Sequence, residues 1–275
     1  MQNDGRSACF TDTYTGQHKH PLDQNRAAMS LDRPGASAPS CMLCPFRQAC
    51  RHACGDGALR ATAPLAPGQV RLRAGDVLYA QGRPTLAVYP VRTGGLKQVY
   101  ESRLGWRQVS GFFQCGDVCG LEANETATHS ASAVALQDTE CCTVPIEALH
   151  GSLADPGLRG AILANLRRQA DRQAELMVAI GSMKASQRLA MLLLDLAAEQ
   201  ARRGIADGVL TLAMTRNDIA SYLGLTLETV SRLLSRFRSV GLITVRHRML
   251  RIVDPDGLAE VHADPDRVVL RGPAD

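Results

Sequence analysis

The chain has 275 residues, 45% hydrophobic and 21% charged, with a net charge of +4. That is enough apolar material for two modest domains, and no run approaches the roughly 18–20 apolar residues that cross a bilayer. The whole-chain charge is too small to point to a partner, and an N-terminus without a basic-then-apolar leader predicts a cytoplasmic protein with no membrane partner. In that compartment nine cysteines read as metal or redox chemistry rather than a disulfide framework.

Residues 1–40 are polar, Gly- and Pro-containing and without apolar periodicity, which predicts a mobile tail. Residues 41–60 hold Cys41, Cys44 and Cys50 at C-x2-C-x5-C spacing, with Cys54 close behind. Four thiolates suffice for a [4Fe–4S] cluster or for tetrahedral zinc, and Cys41, Cys44, Cys50 and Cys54 could close a structural zinc site on their own. Residues 61–68 read as a linker. Short apolar runs then follow at 70–72, 77–79, 86–91, 96–100, 108–113, 131–136 and 141–144, punctuated by glycines. Such spacing predicts a compact antiparallel roll over 61–155. Cys115 falls in a turn of that pattern and Cys119 reads as a small core residue.

From residue 156 the period changes from two to 3.6. Ile162, Leu166, Gln169, Gln173, Leu176, Ile180 and Met183 recur at spacings of four and three, a heptad-like seam on a long helix over 156–187. Pairing with the same helix of a second copy would bury the seam and give a homodimer, with Glu175, Leu176 and Ile180 as its switch: facing copies of Glu175 would keep the dimer marginal. Packing of the helix across its own roll is the alternative.

Over 188–253 ten arginines stand against five acidic residues, the local excess that phosphate contacts require. Thr215 and Asp218 have capping-box spacing, Gly224 ends a first short helix, and Thr226 caps a second that runs through Phe237. Two short helices on a tight Gly turn make a helix-turn-helix, and the apolar runs 242–245 and 250–253 form its wing. The first turns of the second helix present Glu228, Ser231 and Arg232. Arg232 suits guanine O6 and N7, and Glu228 can accept from cytosine N4. Arg216, Arg236, Arg238, Arg246 and Arg248 are placed for phosphates. The winged domain is drawn at 188–255, followed by a C-terminal tail over 256–275.

Taken together, these residues resemble the CRP/FNR family of bacterial transcription regulators, over roughly residues 41–253. The run Leu72-Arg73-Ala74-Gly75-Asp76-Val77-Leu78-Tyr79-Ala80-Gln81-Gly82 is similar to the start of the family's sensory β-roll. Glu228, Ser231 and Arg232 stand as the E-x-x-S-R of the FNR branch. The resemblance implies an α+β fold: a cyclic-nucleotide-binding-like β-roll, a dimerisation helix and a C-terminal winged helix-turn-helix. It also implies palindromic double-stranded DNA with TTGAT-type half-sites, RNA polymerase as a partner, and an oxygen-responsive [4Fe–4S] cluster on Cys41, Cys44, Cys50 and a fourth cysteine from a late strand before a Pro. The spacing to Pro145 places that ligand at Cys142, with Cys54 and Cys141 as competitors. Cyclic AMP is not an expected ligand, because no Arg stands in 116–131 where the cyclic phosphate would need one. No phosphate loop or nucleophile elbow is present, so no enzyme activity is expected. A regulator with structural zinc, or with a roll that binds a small anion, is the competing expectation.

Overall fold

A computed structural model describes residues 44–47, 50, 65, 67–122, 127–203 and 209–264, all within one compact unit. Eight strands build the roll: β1 (Gly68–Leu72), β2 (Val77–Tyr79), β3 (Ala87–Thr93), β4 (Gly95–Glu101), β5 (Arg107–Gln114), β6 (Val118–Cys119), β7 (Ser132–Ala135) and β8 (Thr139–Pro145). They form two antiparallel four-stranded sheets, β1-β8-β3-β6 and β2-β7-β4-β5. Leu72, Tyr79, Val91, Leu96, Phe113, Cys119 and Cys141 fill the space between them. The turn from β3 to β4 depends on Gly94, whose φ is +79° and whose missing Cβ would lie 2.5 Å from the Asp138 carbonyl. Only glycine fits there.

Pro145 ends the roll and opens α1 (Ile146–Ser152). Next comes α2 (Pro156–Ser182), started by Asp155, whose carboxylate accepts from Leu158 N, and by Pro156 in the first turn. The outer face of the first sheet, with Val88, Val118 and Val144, packs on Leu149, Leu158 and Ile162, and Phe46 and Leu65 complete this second core. Leu65 thus belongs to the packed roll and not to a linker; it also pairs with Cys50 in an isolated parallel bridge.

The expected long helix stops at Ser182, five residues short of 187, and α3 (Ala185–Arg202) follows after a two-residue break. The winged domain adds β9 (Val209–Thr211), α4 (Arg216–Leu223), α5 (Leu227–Ser239) and the hairpin β10 (Ile243–Arg246) and β11 (Met249–Ile252), which pairs with β9. The segment drawn as a tail from 256 is corrected in its first part. Asp254 caps α6 (Pro255–Ala263), and Leu258 and Val261 are buried against the core that holds Leu189 and Leu193. That apolar pair provides the reason the chain stays folded past the wing.

The orientation of α2 corrects the dimer seam. Ile162 and Leu176 are buried, and Leu166 and Ile180 pack on the chain's own cores. Gln169 Nε2 donates to Val118 O at 2.8 Å. Glu175 lies beside Asp195 of α3, whose carboxyl is pushed up by burial and then by that neighbouring charge. Leu176 and Ile180 are therefore turned toward their own chain, whereas Glu175 stays exposed beside α3, so the three residues of the expected switch do not share one outward face. The adjoining outward face carries Leu163 (66% exposed) and Met177 (71% exposed), with exposed Ala170, Ala174 and Gly181 completing a second series at spacings of seven, four, three and four.

Candidate nucleic-acid interface and cysteine site

The helix-turn-helix is fixed by its caps. Thr215 Oγ1 accepts from Asp218 N at 3.1 Å, and Asp218 Oδ2 accepts from Thr215 N at 2.9 Å. Gly224 takes the left-handed conformation (φ +63°) that ends α4. Thr226 Oγ1 then accepts from Thr229 N at 3.1 Å to open α5. Val230, Leu234 and Phe237 bury one face of α5, with Leu225 packed alongside. The remaining face is left to solvent, and it carries Glu228 and Arg232. Their charged groups are 3.8 Å apart, and both side chains are more than two-thirds exposed. This contact contributes little and leaves both free to turn toward a ligand. Ser231 Oγ accepts from Arg216 Nη1 at 3.5 Å, so the first helix of the motif reaches the second at the expected residue. Arg236 and Arg238 lie in the last turn of α5. Arg246 and Arg248 stand on either side of His247 at the wing turn, where φ is +55°.

Leu227, half exposed on the first turn of α5 next to Glu228, was not singled out from sequence. Its signal was its position: it lies off the stripe Val230–Leu234–Phe237, so nothing in the domain covers it.

The domain is bolted to the roll. Lys97 Nζ of β4 donates to Asp218 Oδ1 at 2.5 Å, and Val109 N of β5 donates to Ser221 Oγ at 2.9 Å. The Phe112 and Tyr222 rings meet at a tilt, with centroids 4.9 Å apart. Burial raises the Asp218 carboxyl, but hydrogen bonds from Lys97 and Thr215 outweigh it and hold the group below its ordinary value. Arg188 donates to Met183 O, Leu223 O and Ile180 O at 3.0, 3.0 and 2.7 Å, joining the ends of α2 and α4.

On the roll, the stretch expected to lack a phosphate-binding Arg is filled by an aromatic stack. The His129 ring stacks on Tyr79, with centroids 3.7 Å apart and planes nearly parallel. Tyr79 OH donates to Glu122 Oε1 at 2.6 Å, and Gly120 N donates to Glu122 Oε2 at 2.9 Å. Burial pulls the imidazole below its ordinary value, against the pull of Glu122. The site therefore presents a carboxylate and a neutral ring.

Of the four expected cluster ligands, Cys44, Cys50 and Cys142 are described; Cys41 and the competitor Cys54 lie outside the described residues. Whether a cysteine-ligated group fits can be tested on the pleat of β8. Val88 pairs with Val144 and Val91 with Cys141, a constant register. Side chains alternate faces along a strand, so Cys142 shares the outer face with Val144, and Cys141 shares the interior with Val91. Cys44 and Phe46 pack on that same outer face. Cys141 is fully buried inside the roll, where burial, followed by the charges of Cys142 and Glu140, pushes its thiol up to about 12. Cys44 and Cys142 thus share the outer face, although among the described residues no three Cys, His, Asp or Glu side chains gather closely enough to hold a metal ion. Cys115 stands in a turn and Cys119 is buried in the roll's core, both as expected.

Residues 69–155 match the model of the cyclic nucleotide-binding domain, and residues 187–261 match that of the Crp-like helix-turn-helix domain. The transcriptional regulatory protein Btr of Bordetella pertussis is 36% identical over 244 residues, covering 86% of this chain and 97% of Btr. The chain belongs to the CRP/FNR family. The fumarate and nitrate reduction regulatory protein of Escherichia coli K12 is another relative of this CRP/FNR regulator, 30% identical over 82% of the chain and 92% of that protein. The solved structure of FixK2 from Bradyrhizobium japonicum superposes with a TM-score of 0.66 at 29% identity, covering 71% of the chain and 97% of FixK2. This CRP/FNR chain is a DNA-binding transcription regulator of a family whose members typically dimerise. Among its described residues no helix is long and apolar enough to cross a membrane.

Proposed function

We propose that this regulator is a cytoplasmic oxygen sensor. Cys41, Cys44, Cys50 and Cys142 would hold a [4Fe–4S] cluster, and two copies would read a palindrome of TTGAT-type half-sites. The observation that carries the proposal is the opposite facing of Cys141 and Cys142. Only the second lies on the sheet face where Cys44 and Phe46 pack. The bound cluster would supply an oxygen-labile cross-link. The chain's own residues do the rest: Phe46 seats the cysteine segment on Val144 and Ile162, and these residues couple it to α2. A second copy would dock along Leu163, Ala170, Ala174, Met177 and Gly181, setting two recognition helices about one DNA turn apart.

On each half-site, Arg232 and Glu228 would read guanine and cytosine and Ser231 a base edge or phosphate, while Leu227 would meet a thymine methyl. Arg216, Arg236, Arg238, Arg246 and Arg248 would hold phosphates, and RNA polymerase would be the partner on DNA. The carboxylate and neutral histidine in the roll argue against a cyclic phosphodiester there.

The test is purification without oxygen. Expected is a straw-brown protein whose visible absorption bleaches in air, is lost in Cys142→Ala and is kept in Cys141→Ala. A colourless protein with one bound zinc would establish the structural-metal alternative, and equal loss in both variants would remove the facing argument.

A further inference from the structure

A cleft of about 80 Å³ opens where β5 of the roll meets α2, α3 and α4. Its apolar walls include Leu192, Leu196 and the tilted ring pair Phe112 and Tyr222. Gln98, only 5% exposed, lines it from β4. Among the described residues the Gln98 side chain makes one hydrogen bond, in which Oε1 accepts from Ser110 Oγ at 3.1 Å, and Nε2 meets no acceptor. A serine hydroxyl can serve either end of an amide, so one polar atom of this nearly buried group is left to whatever fills the cleft.

The mouth is acidic. Glu175 of α2 and Asp195 of α3 line it with their side chains exposed to solvent. The other charged groups there are already matched. Arg172 donates to Asp117 at 3.0 Å, and Glu199 pairs with Arg203 at 2.9 Å and with Arg202. Glu175 and Asp195 have no such counterion among the described residues. The Asp195 carboxyl is pushed up by burial and then by the charge of Glu175, against the smaller pulls of His262, Arg172 and Arg202.

These surroundings narrow the chemistry of an occupant. Two unmatched carboxylates beside aromatic faces suit an ammonium group. The apolar walls suit a short hydrocarbon body, and a half-satisfied amide suits a hydroxyl, which can donate or accept. A carboxylate on the ligand would find no free cation, because Asp117 already holds Arg172, and burying it unpaired is costly. We propose that this cleft binds a small amino alcohol, with its ammonium at Glu175 and Asp195 and its hydroxyl on Gln98. The walls come from the roll, two long helices and the reading head, so occupancy ties Tyr222 of α4 to β5. The site is independent of the cysteine assignment.

The probe is aminopentanol with its polar groups at opposite ends; pentanol and pentylamine each lack one of them. The full chain is titrated with each and followed by amide NMR. Aminopentanol is expected to give saturable shifts at Gly111, Leu192 and Tyr222, with a Kd of about 1 mM for so small a molecule, and to bind more tightly than either relative. Glu175→Gln is expected to weaken aminopentanol about fivefold and leave pentanol unchanged. Gln98→Leu is expected to weaken aminopentanol about tenfold and leave pentylamine unchanged. Glu175 is exposed, so its variant decides the matter even if Gln98→Leu folds poorly. No saturable shift with aminopentanol would overturn the proposal and leave the cleft to about two or three waters. Equal affinity for pentanol and aminopentanol, or unchanged affinity in Glu175→Gln, would overturn it as well.

Discussion

Removing the ammonium of Lys97 tests whether the DNA-reading domain is clamped to the roll. The Lys97 side chain is 25% exposed and that of Asp218 is 7% exposed, with nitrogen and oxygen 2.5 Å apart. Exposed ion pairs contribute about 0.2–1 kcal/mol, whereas breaking a buried pair costs about 3–5 kcal/mol. Asp218 would keep its hydrogen bonds from Thr215 N and Oγ1 at 2.9 and 2.7 Å, so Lys97→Met falls between these limits. The expected loss is about 1–2 kcal/mol, or about 2–8 °C in Tm at roughly 2–4 °C per kcal/mol. The pH dependence has a definite sign. The folded Asp218 carboxyl is depressed, so its contribution is fully present above the unfolded value near ~3.9 and is lost as pH falls through the lower folded value. Urea melts of wild type and Lys97→Met should therefore differ at neutral pH and converge in acid. Equal midpoints at neutral pH, or a gap that persists unchanged in acid, would refute the clamp.

Met177→Glu should hold the protein monomeric in sedimentation experiments without lowering Tm, because the side chain is exposed; Leu176→Ala should instead cost about 2–5 kcal/mol of stability. Arg232→Ala should cost about 1–3 kcal/mol of binding and relax discrimination at one base position, as read by gel shift on half-site variants. Arg246→Ala should weaken binding to all sequences alike and lower the salt slope by about one. Gly94→Ala should strongly destabilise the roll, since its new methyl meets the Asp138 carbonyl and the Thr139 backbone at a φ that alanine resists; a wild-type thermal melt would contradict this.

The motifs most legible in the sequence were those written in local chemistry. Thr215, Asp218, Gly224 and Thr226 mark helix ends through their own hydrogen bonds and conformations, so the helix-turn-helix could be placed almost to the residue. The roll's longer strands were legible from their glycine punctuation, but β6, with two residues, is too short to carry a period. Helix α6 had its signal in Asp254 and Pro255, a capping residue followed by Pro in the first turn, and this was overlooked. The dimer face was not legible, for a physical reason. Helix α2 carries two apolar series, one through Ile162, Leu176 and Ile180 and one through Leu163 and Met177, offset by a single residue and so by about 100°. Periodicity finds both and cannot tell which turns inward; only the packing of Phe46, Val118 and Leu189 decides. For Cys141 and Cys142, alternation along the strand says they face opposite ways, but the outward side is defined by α2, more than ten residues later.

The break between α2 and α3 would pass for a free hinge were it not for Arg188. Its guanidinium takes carbonyls from the last turns of two helices, where the negative ends of both dipoles converge. A planar fork satisfied on three sides tolerates little tilt before its bonds are lost together. Reorientation of the reading head should therefore proceed by release and recapture, as a ratchet tooth does, and not by gradual bending. Amide exchange at Leu225 and Lys184 should reveal this as one shared opening rate, and two independent rates would argue for a soft joint.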